Sequence, residues 1–423
     1  MKRFARAIVV AILGWQVRRL QKKDGYKIVA VSGSVGKTST KLAIAKVLSR
    51  HFRVQYQEGN YNDKVSVPLI FFGQTMPSLF NPVAWLAIFI SNEIKLWQKY
   101  PYDVVVLELG SDAPGQLAQF KKYLGRIEIG VLTAITPEHM QFFEDMDAVA
   151  REETQIANLA TLTLVNKDMC PPQYLPSGGI LTYAIEQSAD YKMTNLNFDV
   201  AGCNFDIETG GTKIFSAQHE AIAEPLLYAV LAAIAVAKKL GMPDTEIQAG
   251  LADITPAPGR LQVLNGINGA TIIDDTYNAS PEAVKAGLKT LYRLNAPQKV
   301  AILGNMNELG KYSEAAHREI GELCDPVQLE LVVTIGPDAN KFLAPAAAAK
   351  GCTVKTFDSP YEAGDYVKTM LKPSALVLAK GSQNGVFAEE AVKQLLANAL
   401  DGAKLVRQSK QWLRIKHKAF NHQ

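Results

Sequence analysis

Apolar residues recur along this chain in two alternating rhythms. Short β-branched runs read as buried strands: Ile28-Val29-Ala30-Val31, Val104-Val105-Val106-Leu107, Ile129-Gly130-Val131-Leu132 and Thr161-Leu162-Thr163-Leu164-Val165. Between them apolar positions return at helical spacing, as in Leu42, Ala43, Ala45, Val47 and Leu48. Strands buried on both faces and separated by helices build a doubly wound parallel sheet. Residues 190–215 alternate instead and are richer in glycine, which predicts a small antiparallel excursion. A long Ala/Leu/Val helix is expected from about Pro225 to Leu240, closed by Gly241 and followed by Pro243.

Thr255-Pro256-Ala257-Pro258-Gly259-Arg260 interrupts the rhythm as a linker. It restarts at Thr271–Asp274, Lys299–Leu303, Leu331–Ile335 and Ala375–Leu378. The expected fold class is therefore α/β: a P-loop, doubly wound central domain over residues 27–255, then a smaller Rossmann-like α/β domain with a basic tail over 256–423. A basic, apolar helix over residues 1–26 precedes them. A length of 423 residues is more than one core usually serves, which agrees with two domains.

Charge changes the picture only at the ends. The formal net charge is +4, yet the terminal segments 1–27 and 401–423 carry +12 between them and the body −8. Solvated helical ends explain this, as does contact with an anionic surface. The apolar stretch Ala7–Leu13 is far below the ~20 residues of a bilayer span, and Arg18, Arg19, Lys22 and Lys23 follow it where a cleavage site would stand. An interfacial or packing helix is expected there, giving weak peripheral contact with a membrane or covering the central domain. A second short apolar segment, Trp85–Ile90, is expected in the core. Cys170, Cys203, Cys324 and Cys352 are scattered and form no metal-ligand spacing, which suits a reducing cytoplasm.

The chemistry starts at Ser32-Gly33-Ser34-Val35-Gly36-Lys37-Thr38-Ser39-Thr40, between a strand and a helix. Glycines let backbone N–H groups close on phosphate oxygens, and the helix N-terminus adds partial positive charge. Lys37 can reach the β/γ-phosphates and Thr38 can hold Mg²⁺, although Val31 stands where the full motif begins with glycine. Glu108 ends the next apolar run, where a second ligand of nucleotide-bound Mg²⁺ is expected. His139, beyond a further strand, is a candidate ligand for a second Mg²⁺.

These residues, with others downstream, resemble the Mur ligase family from about residue 27 to 410. The matching stretches include Asn60-Tyr61-Asn62-Asp63, Leu107-Glu108-Leu109-Gly110 and Gly259-Arg260. Further on are Asp274-Asp275-Thr276-Tyr277-Asn278-Ala279-Ser280-Pro281, Gly304-Asn305-Met306-Asn307-Glu308-Leu309-Gly310 and Lys380-Gly381-Ser382. The resemblance implies ATP-dependent amide formation through an acyl phosphate, and within the family it is nearest the branch adding D-alanyl-D-alanine to UDP-N-acetylmuramoyl-tripeptide. It further implies that Lys37, Glu108, His139 and Glu153 act in catalysis with ATP and Mg²⁺. Residues Gly33 to Ser39, Arg260, Asp275, Tyr277 and Asn278 would bind the nucleotide. Asn60, Asn62, Asn305, Glu308 and Lys380 would face the substrate.

Three departures qualify these expectations. Only about 27 residues precede the first strand, so the family's uridine-binding domain has no counterpart here, and a separate chain is one way to supply it. Glu153 stands where most members carry a carbamylated lysine, and would replace that charge. Pro225 and Ala229 stand where His and Asn usually meet the adenine. Two rival functions stay open: an amide ligase for another acid, such as a polyglutamate-type acceptor, and a non-catalytic ATP-binding subunit. Peptidoglycan-precursor substrates in the cytoplasm, and no nucleic acid, are the expected partners.

Overall fold

The computed structural model describes residues 2–23, 25–59, 61–137, 140, 142–199, 202–222 and 224–420. The first half runs through α1 (Lys2–Lys23), β1 (Lys27–Ser32), α2 (Lys37–Leu48), β2 (Val54–Gln55), α3 (Ser66–Phe71), α4 (Pro82–Trp97), β3 (Val104–Glu108) and β4 (Ile127–Leu132). It continues with α5 (Met146–Glu153), α6 (Gln155–Leu159), β5 (Ala160–Asn166), β6 (Ile180–Ala184), β7 (Tyr191–Asp199), β8 (Gly202–Thr209), β9 (Thr212–His219), α7 (Glu224–Lys239) and α8 (Asp244–Leu251). Its nine strands lie in the order β2-β3-β1-β4-β5-β6-β7-β8-β9, parallel through β7 and antiparallel from β7 to β9. The alternating segment is thus an extension of the main sheet. The expected long helix is α7, and its buried Leu226–Ala237 face packs against α2 in the central core.

The second half holds β10 (Gln262–Asn265), β11 (Thr271–Asp275), α9 (Pro281–Arg293), β12 (Lys299–Gly304), α10 (Ser313–Leu323), β13 (Leu331–Ile335), α11 (Ala344–Ala349) and β14 (Val354–Phe357). The last elements are α12 (Pro360–Met370), β15 (Leu376–Lys380), α13 (Glu389–Leu395) and α14 (Lys410–Phe420). The sheet order is β10-β11-β15-β12-β13-β14, with only β10 antiparallel. β10 and β14 escape the sequence pattern because both are short edge strands with half-exposed residues. In both sheets the central strands end toward one cleft, as open α/β sheets place their ligands at strand carboxyl ends.

The charged ends divide. At the C-terminus, Arg407 and Lys416 are not solvated: Arg407 pairs with Glu389 at 2.7 Å, and Lys416 is held between Glu389 at 2.8 Å and Glu390 at 2.6 Å. This buried network fastens the tail to α13. At the N-terminus, α1 packs Val9, Leu13, Val17 and Leu20 inward, and Gln16 bonds the Phe89 carbonyl and the side chains of Glu93 and Asn92. The packing role expected of α1 is therefore present. The segment Trp85–Ile90 is core on one side only: Trp85 and Ile88 are buried, whereas Leu86 and Ile90 face outward. Among the described residues no helix is long and apolar enough to cross a membrane.

Candidate active site

The apolar run of β1 buries its side chains and delivers Ser32 to the sheet's carboxyl edge, where Gly33 turns the chain. Gly33 has φ +129°, and a Cβ there would stand 2.3 Å from the Thr133 Oγ1, so only glycine fits without displacement. The loop is held from beside: Ser34 N–H donates to the Ala134 carbonyl at 2.9 Å, and Thr133 Oγ1 donates to the Val35 carbonyl at 2.6 Å. The Lys37 ammonium folds back onto the loop, donating to the carbonyls of Ser34 (2.9 Å) and Gly33.

Glu108 meets this loop from β3, because the parallel register of β1 and β3 sets Val31 beside Glu108. Thr38 Oγ1 donates to Glu108 Oε2 at 3.0 Å, and Asn62 Nδ2 approaches Oε1 at 3.4 Å. Lys41, one helical turn after Lys37, lies fully buried with its ammonium 3.3 Å from Glu108 Oε2 and 3.1 Å from the Gly59 carbonyl. Burial pulls the Lys41 pKa down while Glu108 opposes that shift. Thr38, Glu108 and Asn62 present only neutral or anionic oxygens and an amide, a donor chemistry suited to a hard cation such as Mg²⁺. Among the described residues no cluster of three His, Cys, Asp or Glu side chains forms a complete metal cage. His139 and Asn60 lie outside the described residues.

Glu153 goes elsewhere. Its buried carboxylate accepts from Ser32 Oγ at 2.7 Å and from Gly33 N–H at 2.8 Å, underneath the phosphate loop. The neighbouring Glu152 performs a similar service for the next loop, accepting from Ser111 Oγ and from the N–H groups of Gly115 and Leu117.

The second domain supplies the facing wall. At the end of β11, Asp275 pairs with Lys380 of β15 at 2.6 Å and accepts from Leu261 N–H at 3.2 Å. Burial pushes the Asp275 carboxyl upward and the Lys380 ammonium downward, and their contact offsets both. Lys380 also donates to the Asn278 carbonyl at 2.9 Å. Arg260 stacks on Tyr277, its guanidinium carbon 4.2 Å from the ring centroid. Gly259, at φ +67°, lets the linker approach so closely that Tyr277 N–H donates to its carbonyl at 3.0 Å.

A single cleft of about 780 Å³ joins these parts. Ser34 to Ser39, Asn62 and Glu108 line one side, and Arg260, Asp275, Tyr277, Asn278, Glu308 and Lys380 line the other. Of the expected adenine-side positions, Pro225 lines the cleft and Ala229 is buried in the core instead. Asn305 also stands apart: its Oδ1 accepts from Ala339 N–H at 2.8 Å and fixes the end of β12 to the segment that follows β13. His317 holds the same region, accepting from Met306 N–H at 3.0 Å through Nε2, and burial lowers its pKa toward the neutral ring.

Two regions of the sequence match known family descriptions. Residues 87–237 match the Mur ligase middle domain, and residues 259–383 match the Mur ligase glutamate ligase domain, together well over half of the chain. The chain belongs to the Mur ligase family. This Mur ligase is 26% identical over 384 residues to the UDP-N-acetylmuramoyl-tripeptide–D-alanyl-D-alanine ligase of Bacillus subtilis, covering 89% of the chain and 77% of that relative. It is 25% identical over 388 residues to the ligase of the same name from Escherichia coli, covering 88% and 77%. Among solved structures it resembles MurF from Acinetobacter baumannii, with a TM-score of 0.73, 23% identity and coverage of 92% and 80%. It also resembles the MurF ligase from Thermotoga maritima in complex with ADP, with a TM-score of 0.72, 22% identity and coverage of 96% and 84%.

Sequence reading missed three residues that shape this Mur ligase cleft. Lys41 gave only a helical-spacing signal. Arg407 sits in the basic tail, yet it donates to the carbonyls of Thr276 (2.6 Å) and Tyr277 (3.0 Å) and so props the Asp275–Asn278 loop from below. Glu224, at the start of α7, receives Arg293 at 2.5 Å and Lys289 at 3.0 Å from α9, which ties the two domains together beside the cleft. Each depends on a partner 65 or more residues away, and no local pattern announces it.

Proposed function

We propose that this chain is an ATP-dependent, ADP-forming ligase that joins D-alanyl-D-alanine to the terminal carboxylate of UDP-N-acetylmuramoyl-tripeptide, in the cytoplasm. The observation that carries this reading is the shared cleft, in which the phosphate loop and Glu108 face Arg260, Asp275 and Lys380. The names of the curated relatives supply the acceptor and the amine. In the reaction, the substrate carboxylate attacks the γ-phosphorus of ATP and ADP leaves, giving an acyl phosphate. The amine of the dipeptide then attacks the acyl carbon, and the tetrahedral intermediate expels phosphate as the amine loses its proton.

Each residue has a task in this scheme. Lys37 exchanges the Gly33 and Ser34 carbonyls for phosphate oxygens and neutralises the charge that moves to ADP. The loop N–H groups and the start of α2 hold the phosphates still. Arg260 adds a cation from the linker, and its stacking on Tyr277 aims it. Mg²⁺ would be held by Thr38 and Glu108 and would screen the phosphate charge there. Lys41 pairs with Glu108 from below and orients it. Asn62 and Glu308 face the space for the acceptor, and Asp275, Tyr277 and Asn278 form the nucleotide side. Glu153 serves as an anchor that fixes Gly33 N–H, a role that needs a carboxylate but no carbamate.

Phosphate release tests this directly. Turnover is expected only when ATP, UDP-N-acetylmuramoyl-tripeptide and D-alanyl-D-alanine are all present. The muramoyl-tripeptide without its UDP, run in parallel, reports through KM whether the uridine nucleotide is read. Release with a folate and glutamate instead would move the protein to the polyglutamate class, and no release with any acceptor would leave an ATP-binding subunit.

A further inference from the structure

α4 carries an apolar stripe that nothing among the described residues covers. Val83, Leu86, Ile90, Ile94 and Trp97 are 76%, 59%, 52%, 56% and 83% exposed, and with Ala87 they fall on one side of the helix. The spacing keeps them within a single face over four turns, roughly 21 Å at about 1.5 Å per residue. Leu79 and Phe80 extend the surface just before the helix. Such a patch exceeds the scattered apolar exposure of an ordinary soluble surface.

The neighbouring α1 continues it. α1 and α4 run side by side in the same direction, since Gln16 meets Phe89, Asn92 and Glu93 while Lys23 caps the end of α4 at the Leu96 and Gln98 carbonyls. Trp15 and Ile8 face outward from α1. Arg19 joins the two helices at the surface, stacking over Trp15 at 4.4 Å and pairing with Glu93 at 2.5 Å. Two of the four tryptophans of the chain, Trp15 and Trp97, therefore stand at this exposed surface.

Charge selects the occupant. α1 contains Lys and Arg at seven positions and no Asp or Glu, and the one acid of α4, Glu93, is neutralised by Arg19. Lys22 and Lys99 are exposed by the end of α4 where Trp97 projects, next to the contact of Lys23 with the Gln98 carbonyl, while Lys95 turns away to the Phe72 carbonyl. A second copy would bring two basic helix pairs together and meet repulsion. An anionic lipid surface meets the cations with opposite charge and takes the apolar stripe and the tryptophans among its headgroups.

We propose that the α1–α4 pair is an in-plane docking surface for anionic lipid bilayers, with the α4 stripe as its apolar half. The principal contact thus moves from the N-terminal helix to α4. It shares no residue with the cleft and rests on no assumption about the acceptor.

Flotation of the full chain with phosphatidylglycerol-containing vesicles, against phosphatidylcholine vesicles, tests this without nucleotide or substrate. Binding to the anionic vesicles alone is expected. A Leu86→Ser/Ile90→Ser/Trp97→Ser variant should lose at least about tenfold in partition, and Lys22→Gln/Lys99→Gln about fivefold per charge. Both should retain ATP binding, which reports that the fold survives. A control removing exposed apolar groups elsewhere, Val327→Ser/Leu400→Ser, should bind as the wild type. Absence of wild-type flotation, an unaltered stripe variant, or equal loss in the control overturns the proposal. So does a concentration-dependent dimer that the stripe variant abolishes, because the occupant is then a second copy.

Discussion

Two buried lysine–carboxylate pairs face each other across the cleft, and they are built differently. In the central domain, Lys41 lies 3.3 Å from Glu108, and Glu108 also receives Thr38 and Asn62. In the second domain, Lys380 lies 2.6 Å from Asp275, and Lys380 is further fixed by the Asn278 carbonyl. Both carboxylates end a sheet strand, so the sheets bring them to the same place. The difference lies in what surrounds each. Glu108 is reached mainly by groups of the phosphate loop and its helix, and its longer contacts leave room for a cation. Asp275 is locked to Lys380 with Arg260 close by, so it balances two cations within its own domain. One pair stands against the phosphate loop, and the other holds the Asp275–Asn278 loop in shape.

Breaking the tighter pair should have the largest effect. Asp275→Ala leaves Lys380 buried without its counter-charge, an error that typically costs about 3–5 kcal/mol. Urea denaturation measures this, and a loss below about 1 kcal/mol would show that the pair is solvated. The looser pair should fail in activity first. Lys37→Ala is expected to lower acceptor-dependent ADP formation about 10²–10³-fold or more with an unchanged melting temperature. Glu108→Gln should match it in rate, whereas Glu108→Ala should also unfold more easily, because Lys41 then keeps only the Gly59 carbonyl. Wild-type turnover in Lys37→Ala or Glu108→Gln would remove the phosphate-loop mechanism.

Asp274, next to Asp275, sharpens the contrast through pH. Burial raises its carboxyl to about 6, and its Oδ2 finds no hydrogen-bond partner among the described residues while Thr276 serves Oδ1. The folded pKa exceeds the unfolded one, so the neutral form favours the native state, and stability falls as pH rises from about 4 through 6. The full change is about 3 kcal/mol, from 1.36 kcal/mol per unit. Asp274→Asn should flatten that part of the stability profile, and an unaltered slope would assign it to other groups. The smallest effect is expected at Glu153. Glu153→Gln weakens charge-assisted bonds to Ser32 and Gly33, costing about 1.5–3 kcal/mol of stability and raising KM for ATP. Mg²⁺ and bicarbonate dependence should stay unchanged. A shifted Mg²⁺ requirement would instead return Glu153 to the metal, as a substitute for the carbamate.

The phosphate loop, the strand end at Glu108, the linker at Gly259-Arg260 and the two βα rhythms were legible because each is local. Hydrophobic period, glycine at a positive φ and a lysine at fixed spacing act within a dozen residues, and such patterns survive without knowledge of the fold. They even located the antiparallel excursion and α7. The strands β10 and β14 were not legible, since short edge strands bury too little to leave a period.

The amino-acid sequence by itself determined which segments become strands and helices, where the nucleotide loop lies, and which carboxylates stand at strand ends. Tertiary structure alone decided the partners. Glu153, expected as a substitute for a carbamate, received Ser32 and Gly33 as partners only once α5 set it under the loop. Arg407 and Lys416 counted as tail charges until α13 buried them against Glu389 and Glu390. Trp85 to Ile90 formed one apolar run until packing against α1 sent Trp85 and Ile88 inward and Leu86 and Ile90 out. The physical reason is common to all three. A side chain's charge and size belong to its residue, but its desolvation and its partner belong to chains of contact that close only when distant segments meet.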